Sequence, residues 1–124
     1  MIENSIATSV LDSAFKVHRR LGPGLLESSY HKCLEHELNK SRINFRSEVG
    51  LPLVYEDVKL ELGYRIDLLV ESRVIVEIKS VDAINDVHMA QLLTYLKLND
   101  CRLGLLLNFN VAKLKYGIKR VILS

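Results

Sequence analysis

Gly63-Tyr64-Arg65-Ile66-Asp67-Leu68-Leu69-Val70, Glu71-Ser72-Arg73, Val74-Ile75-Val76-Glu77-Ile78-Lys79-Ser80 decides the reading of the whole chain. Two apolar runs rich in β-branched residues flank a short polar break, which predicts two strands of a hairpin. Strand alternation puts Arg65, Asp67 and Leu69 on one face and Ile66, Leu68 and Val70 on the other. In the following strand Ile75, Glu77 and Lys79 share a face, and Val74, Val76 and Ile78 take the opposite one. Both apolar trios fall on one side of the sheet if Val70 faces Val74, Leu68 faces Val76 and Ile66 faces Ile78. That register leaves the loop Glu71-Ser72-Arg73 and sets Asp67 opposite Glu77, with Lys79 one step further along. A one-residue slip would send the two carboxylates to opposite faces and mix the trios.

Charged groups inside strands of a small core are costly unless paired, solvated or bound to a metal. Two adjacent carboxylates repel when both are ionised. A divalent cation removes that conflict, and Mg2+ favours one or two carboxylates together with waters and phosphate oxygens. A lysine beside it can hold the attacking water or stabilise a negative transition state, so the trio suits hydrolysis of a phosphodiester. A plain strand-end ion pair of Lys79 with Glu77 or Asp67 is the commoner reading of an isolated Glu-x-Lys. Asp67 on the same inferred face moves the balance toward a functional site.

Working outward, the N-terminal stretch from Ile2 to Arg20 reads as a helix, with Ile6, Val10, Ala14, Val17 and Leu21 in one apolar stripe. Leu21-Gly22-Pro23-Gly24 breaks it. A second helix is expected from Leu25 to Lys40, with Leu26, Tyr30, Cys33 or Leu34, and Leu38 inward. Phe45 to Val54 is a strand candidate in which Gly50 and Pro52 mark a bulge or an edge. Glu56-Asp57 is a turn and Val58 to Leu62 the returning arm. After the central hairpin, Asp82 to Asp86 can cap a helix over Val87 to Asn99, apolar over a wide arc. Leu103 to Phe109 is nearly all apolar, as in a central strand covered on both faces, and Lys115 to Leu123 is a last strand. The order predicts an α/β fold, a mixed sheet flanked by helices.

The chain has 124 residues, 48% of them hydrophobic and 26% charged, which predicts a single domain over 1–124 with a real core. No run of about 18 apolar residues suggests a membrane span, and the start lacks the pattern of a signal peptide, so a cytoplasmic location is expected. A net charge of +2 neither demands nor opposes nucleic acid. Cys33 and Cys101 have no metal-ligand or disulfide spacing and read as buried free thiols. His18, His31 and His36 show no zinc spacing; the pair at 31 and 36 misses the helical i,i+4 step.

Asp67 followed by Glu77-Ile78-Lys79 resembles the PD-(D/E)xK nuclease superfamily, with Ile66 in place of the proline. The whole chain resembles the GxxExxR family within it, through Gly22-Pro23-Gly24-Leu25-Leu26-Glu27, Gly63 to Val70, Val76 to Lys79, His88 to Leu96 and Leu103 to Phe109; Tyr30 stands at the arginine position. The resemblance implies a restriction-endonuclease-like αβββαβ core. It implies Mg2+ or Mn2+ bound by Asp67, Glu77 and the Ile78 carbonyl, joined by Glu27 from the first core helix, with Lys79 acting on the attacking water. Gln91 and Tyr95, one helical turn apart, would line the active site and meet substrate. His88, a turn before Gln91, and the basic Arg65 are further candidates for substrate contact. The implied partner is nucleic acid, DNA or RNA, with no membrane; a homodimer would enlarge a small surface. The alternative is a nucleic-acid-binding or assembly module that keeps the fold with little or no activity. Intact acidic residues weigh against it.

Overall fold

The computed structural model describes residues 2–124. In order, the elements are α1 (Ile2–Leu21), α2 (Glu27–Lys40), β1 (Phe45–Gly50), β2 (Leu53–Tyr55), β3 (Val58–Leu60), β4 (Arg65–Val70), β5 (Val74–Lys79), α3 (Asp86–Leu98), β6 (Leu103–Asn108) and β7 (Ile118–Ile122). Five strands form a mixed sheet in the order β1-β4-β5-β6-β7, and β2 pairs only with β3. The β5–β6 pair is parallel and the other neighbours in the sheet are antiparallel. A parallel pair needs a crossover, and α3 supplies it.

The stripe expected on the first helix is buried from Ile6 to Val17, whereas Leu21 at its end and Leu26, expected to point inward, are exposed. Ile6, Val10, Ala14 and Val17 pack with Tyr30, Leu34 and Leu38 of α2 against one face of the sheet. There they meet Leu68, Val70, Val74, Val76, Ile78, Leu103, Leu105 and Leu107. The other face carries α3, where Leu92, Tyr95 and Leu96 cover Ile66, Leu69, Ile75 and Leu106. The central strand β6 is buried along its whole length, as its unbroken apolar run requires. Gly104 lets α3 approach it, because a Cβ there would lie 2.8 Å from Leu92 Cδ1. The apolar arc of α3 is narrower than expected; Leu93 and Met89 are half-buried and Ala90 is exposed.

The central hairpin has the predicted register where it pairs: Val70 faces Val74, Leu69 faces Ile75 and Leu68 faces Val76. Glu71 and Ser72 have φ of 53° and 56°, and Arg73 N donates to Val70 O at 3.0 Å. Two left-handed central residues make this a primed turn whose twist matches its strands. The expected Glu56-Asp57 turn likewise closes the β2–β3 hairpin, with Tyr55 facing Val58.

Three expectations are corrected. Phe45 to Val54 is not one strand; it breaks at Leu51-Pro52, since proline cannot donate to a ladder. The last strand starts at Ile118, because Leu114–Gly117 forms a 3-10 turn. A Cβ on Gly117 would lie 2.1 Å from Asn108 O, so only glycine fits that close approach. Third, Ile66 does not share a face with Leu68 and Val70: it packs under α3 while they pack under α1 and α2. The β1–β4 ladder explains the swap. It pairs Ser47 with Leu68 and Val49 with Ile66 but skips Glu48 and Asp67. Glu48 has a left-handed φ of 54°, unusual for a non-glycine residue within a strand. Phe45 therefore packs on the α1–α2 side and Val49 on the α3 side. The two free thiols differ as well: Cys101 is buried and Cys33 only half-buried.

Candidate functional site

The break in the sheet at Asp67 is where the chemistry collects. Past Leu68–Val76 the β4–β5 ladder gives way to side-chain bonds. Asp67 N donates to Glu77 Oε2 at 2.8 Å, and Ile78 N donates to Asp67 Oδ2 at 2.8 Å. Each carboxylate thus satisfies the other strand's backbone. Asp67 Oδ1 and Glu77 Oε1 have no protein donor among the described residues.

Electrostatics marks the pair as strained without a counter-ion. Glu77 is only 4% exposed. Burial, and then the neighbouring Asp67 carboxylate, push its pKa from 4.5 up to about 8. Burial also raises Asp67; the Ile78 N–H, His31 and Lys79 pull it back in part, while Glu48 adds to the rise. Lys79 is close enough to favour the charged form of both acids. Removing two close carboxylates from water is unfavourable unless a cation or protons balance them.

The expected partners arrive from distant segments. Glu27, at the start of α2, accepts from Ser80 N at 3.1 Å, and Ser80 Oγ donates to Leu25 O at 2.6 Å. Glu27 is thereby docked beside Ser80, the residue that follows β5. Tyr30 holds the turn that presents it. Its hydroxyl donates to Gly22 O at 2.6 Å and accepts from Leu25 N at 3.1 Å, and its ring stacks on Phe109 at 4.6 Å. The loop after β5 is clamped by Asn108, whose side chain accepts from Val81 N and donates to Val81 O.

Tyr95 projects from α3 to the carboxylates. It is buried, Glu77 and Asp67 both add to the rise of its phenol pKa that burial begins, and Tyr64 meets its ring edge-on at 6.4 Å. Gln91 is exposed one turn away. His88 is engaged locally. Its Nδ1 accepts from Asn85 N while its own backbone N–H donates to Asn85 Oδ1, a reciprocal cap at the start of α3. Arg65 is exposed at the start of β4, paired with Gly50 in the ladder.

Two residues that sequence reasoning does not bring to the site lie at the same break. His31 of α2, Glu48 and Asp67 each offer one ligand atom, and these atoms lie within 4.8 Å of one another. His31 is buried among polar partners: Nε2 is 2.7 Å from Glu35 Oε2 and 2.8 Å from Ser47 Oγ, and Nδ1 is 3.7 Å from Glu48 Oε1. A signal is present in the chain, since Glu27, His31 and Glu35 recur at i,i+4 steps along α2 and share one face.

These donors fit a hard or borderline divalent ion: two carboxylates with raised pKa values, a third acid at the rim, and a histidine in reach. No helix among the described residues is long and apolar enough to cross a membrane. No curated protein matches the chain. A family model described as the PD-(D/E)XK nuclease superfamily matches residues 4–121. With that match over almost its full length, and with Asp67, Glu77 and Lys79 just past the end of the β4–β5 ladder, the chain belongs to the PD-(D/E)XK nuclease superfamily.

Proposed function

We propose that this chain is a nuclease that hydrolyses phosphodiester bonds of DNA or RNA with the help of Mg2+ or Mn2+. The single observation that carries the reading is the mutual clasp of Asp67 and Glu77, two desolvated carboxylates with Lys79 beside them. Asp67 and Glu77 would hold the cation, with the Ile78 carbonyl alongside and Glu27 joining from the rim. A divalent ion bound there supplies positive charge to the phosphate and lowers the pKa of a coordinated water.

The protein's own groups do the rest. The Lys79 ammonium orients the attacking water and offsets the charge that grows on the phosphate oxygens. Glu27, fixed by Ser80 N, holds its carboxylate at the edge from which that water approaches. Tyr95 presents a buried phenol to the same side, and Gln91 adds an exposed amide one turn away, where substrate would pass. Within the superfamily we place the chain nearest the GxxExxR group, on the spacing from Gly24 to Glu27. Tyr30 takes the last position of that motif as a buried turn staple rather than as a charged site residue.

The test is a cleavage panel over single-stranded, duplex and branched DNA and RNA, with Mg2+, Mn2+ or chelator, and Glu77→Ala as control. Cleavage that needs the metal and is lost in the variant is the expected result. Metal-independent binding of nucleic acid with no turnover on any substrate would replace this reading with that of a binding or assembly module.

A further inference from the structure

We infer that His31 Nδ1 is a ligand of the cation held by Asp67, with Glu48 completing the set, and that Glu35 is the positioning residue that fixes the histidine tautomer. The site accordingly takes an ion of the Mn2+ class in preference to Mg2+. This rests on the proposed function only in taking Asp67 as a cation ligand.

The hydrogen bonds around His31 determine where its proton sits. Ser47 Oγ donates to Glu35 Oε2 at 2.5 Å, so the serine proton is already used. A carboxylate only accepts, and Glu35 Oε2 lies 2.7 Å from His31 Nε2. Nε2 must therefore carry a hydrogen, shared between Glu35 and Ser47 Oγ, and in the neutral ring that leaves the Nδ1 lone pair free. A carboxylate on the far nitrogen of a metal-bound histidine is a recurrent device for fixing its ring and raising its basicity. Nδ1 points toward Glu48, whose Oε1 at 3.7 Å is beyond hydrogen-bond reach. Two groups face one another across a gap that neither closes.

Glu48 reaches that gap through its left-handed backbone at φ 54°. Such a conformation in a non-glycine residue costs energy and collects at functional sites. It also causes the face swap in β1 and β4, so the same distortion turns Glu48 and Asp67 toward α2. The spread of the three ligand atoms, 4.8 Å at most, is near the span of one coordination sphere. Ligands at about 2.1 Å lie up to about 4.2 Å apart across an ion, so small side-chain rotations close the set. All-oxygen sites suit Mg2+, whereas an imidazole nitrogen favours first-row transition ions. A purely structural role for His31, as the buried partner of Glu35 and Ser47, needs neither the Glu48 backbone distortion nor a free Nδ1 aimed at two carboxylates.

Mn2+ binding by the full chain, read by electron paramagnetic resonance, tests this without any turnover. The unaltered protein should bind Mn2+ at least 10-fold more tightly than Mg2+, and spin-echo spectra of bound Mn2+ should carry nitrogen modulation from one imidazole. His31→Gln should abolish the modulation and weaken Mn2+ more than it weakens Mg2+, so that the preference for Mn2+ disappears. Glu35→Gln should weaken Mn2+ by about 10- to 100-fold, as the loss of a second partner behind a metal-bound histidine does. Mn2+ bound in an Asp67-dependent way but without nitrogen modulation overturns the role of His31 and leaves the cation site standing. Binding unaffected by Asp67→Asn, or no binding of either ion, overturns both. The modulation is read on the unaltered protein, so the test survives even if His31→Gln fails to fold.

Discussion

Replacing Glu77 by glutamine should change how the metal-free protein responds to pH. Burial and the adjacent Asp67 carboxylate raise the Glu77 pKa from 4.5 to about 8. Between those two values the folded chain holds a proton that the unfolded chain has released. Unfolded protein then binds fewer protons than folded protein, so stability falls as pH rises. The contribution is complete below about 4.5 and gone above about 8. At about 1.4 kcal/mol per pH unit the cap is about 5 kcal/mol. Asp67 shares the site and is raised in the same direction, so the pair titrates together and we assign ~2 kcal/mol to Glu77 itself. For a chain of this size that is a fall in Tm of roughly 6–10 °C from pH 5 to pH 8. Glutamine cannot ionise, yet its side-chain oxygen can still accept from Asp67 N. Urea unfolding in chelator at pH 5, 6, 7 and 8 should show a steep loss for the parent and at most half that slope for Glu77→Gln, which becomes the more stable protein at pH 8. Parallel slopes for the two proteins would mean that Glu77 is not the group whose proton is lost on unfolding.

Other outcomes follow from the same geometry. Lys79→Ala should lower single-turnover cleavage by about 100-fold or more with divalent affinity retained; cleavage rates and a metal titration of the same sample check both halves. Tyr30→Phe keeps the stack on Phe109 but loses the bonds to Gly22 and Leu25, for a cost of about 1–2 kcal/mol in urea unfolding. Gly117→Ala has no room beside the Asn108 carbonyl and should be more damaging than Gly104→Ala, where Leu92 can give way for about 1–3 kcal/mol; thermal melts rank the two. Because Glu77 is protonated near neutrality without metal, cation binding at pH 7 should release close to one proton. Titration calorimetry in buffers of different ionisation enthalpy reads that number, and release near zero would contradict the raised pKa.

Much of this fold is legible in the amino-acid sequence. The α1 stripe, the unbroken apolar run of β6 and the three-residue loop between Val70 and Val74 each follow from periodicity and from the need to keep apolar side chains on a buried face. The same register sets Asp67 opposite Glu77, although the distortion at Glu48 turns Asp67 toward α2 and away from its expected face, that of Leu69. Ile66 is fully buried on the face it does take, and hydrophobic pattern records burial, worth about 1.5–3 kcal/mol for such a side chain, and not the side on which it occurs. The distortion behind the swap sits at Glu48, a residue type that gives no local sign of a left-handed backbone. Spacing sets His31 against His36, five positions on, whereas its neighbours on the helix are Glu27 and Glu35. Its partners in the sheet, Glu48 and Asp67, become visible only once the strands are placed. His88 shows the reverse: an apparent substrate contact that the cap of α3 already employs through Nδ1.

The break between β4 and β5 gathers Asp67 and Glu77, and on the proposed function these two carboxylates hold a divalent cation. Calorimetric titration of Mg2+ and Mn2+ into the parent, Asp67→Asn and Glu77→Gln at pH 7.5 tests it most directly. Saturable binding by the parent that is lost in both variants, with the fold retained, is the predicted result; binding of equal strength in all three proteins would contradict it.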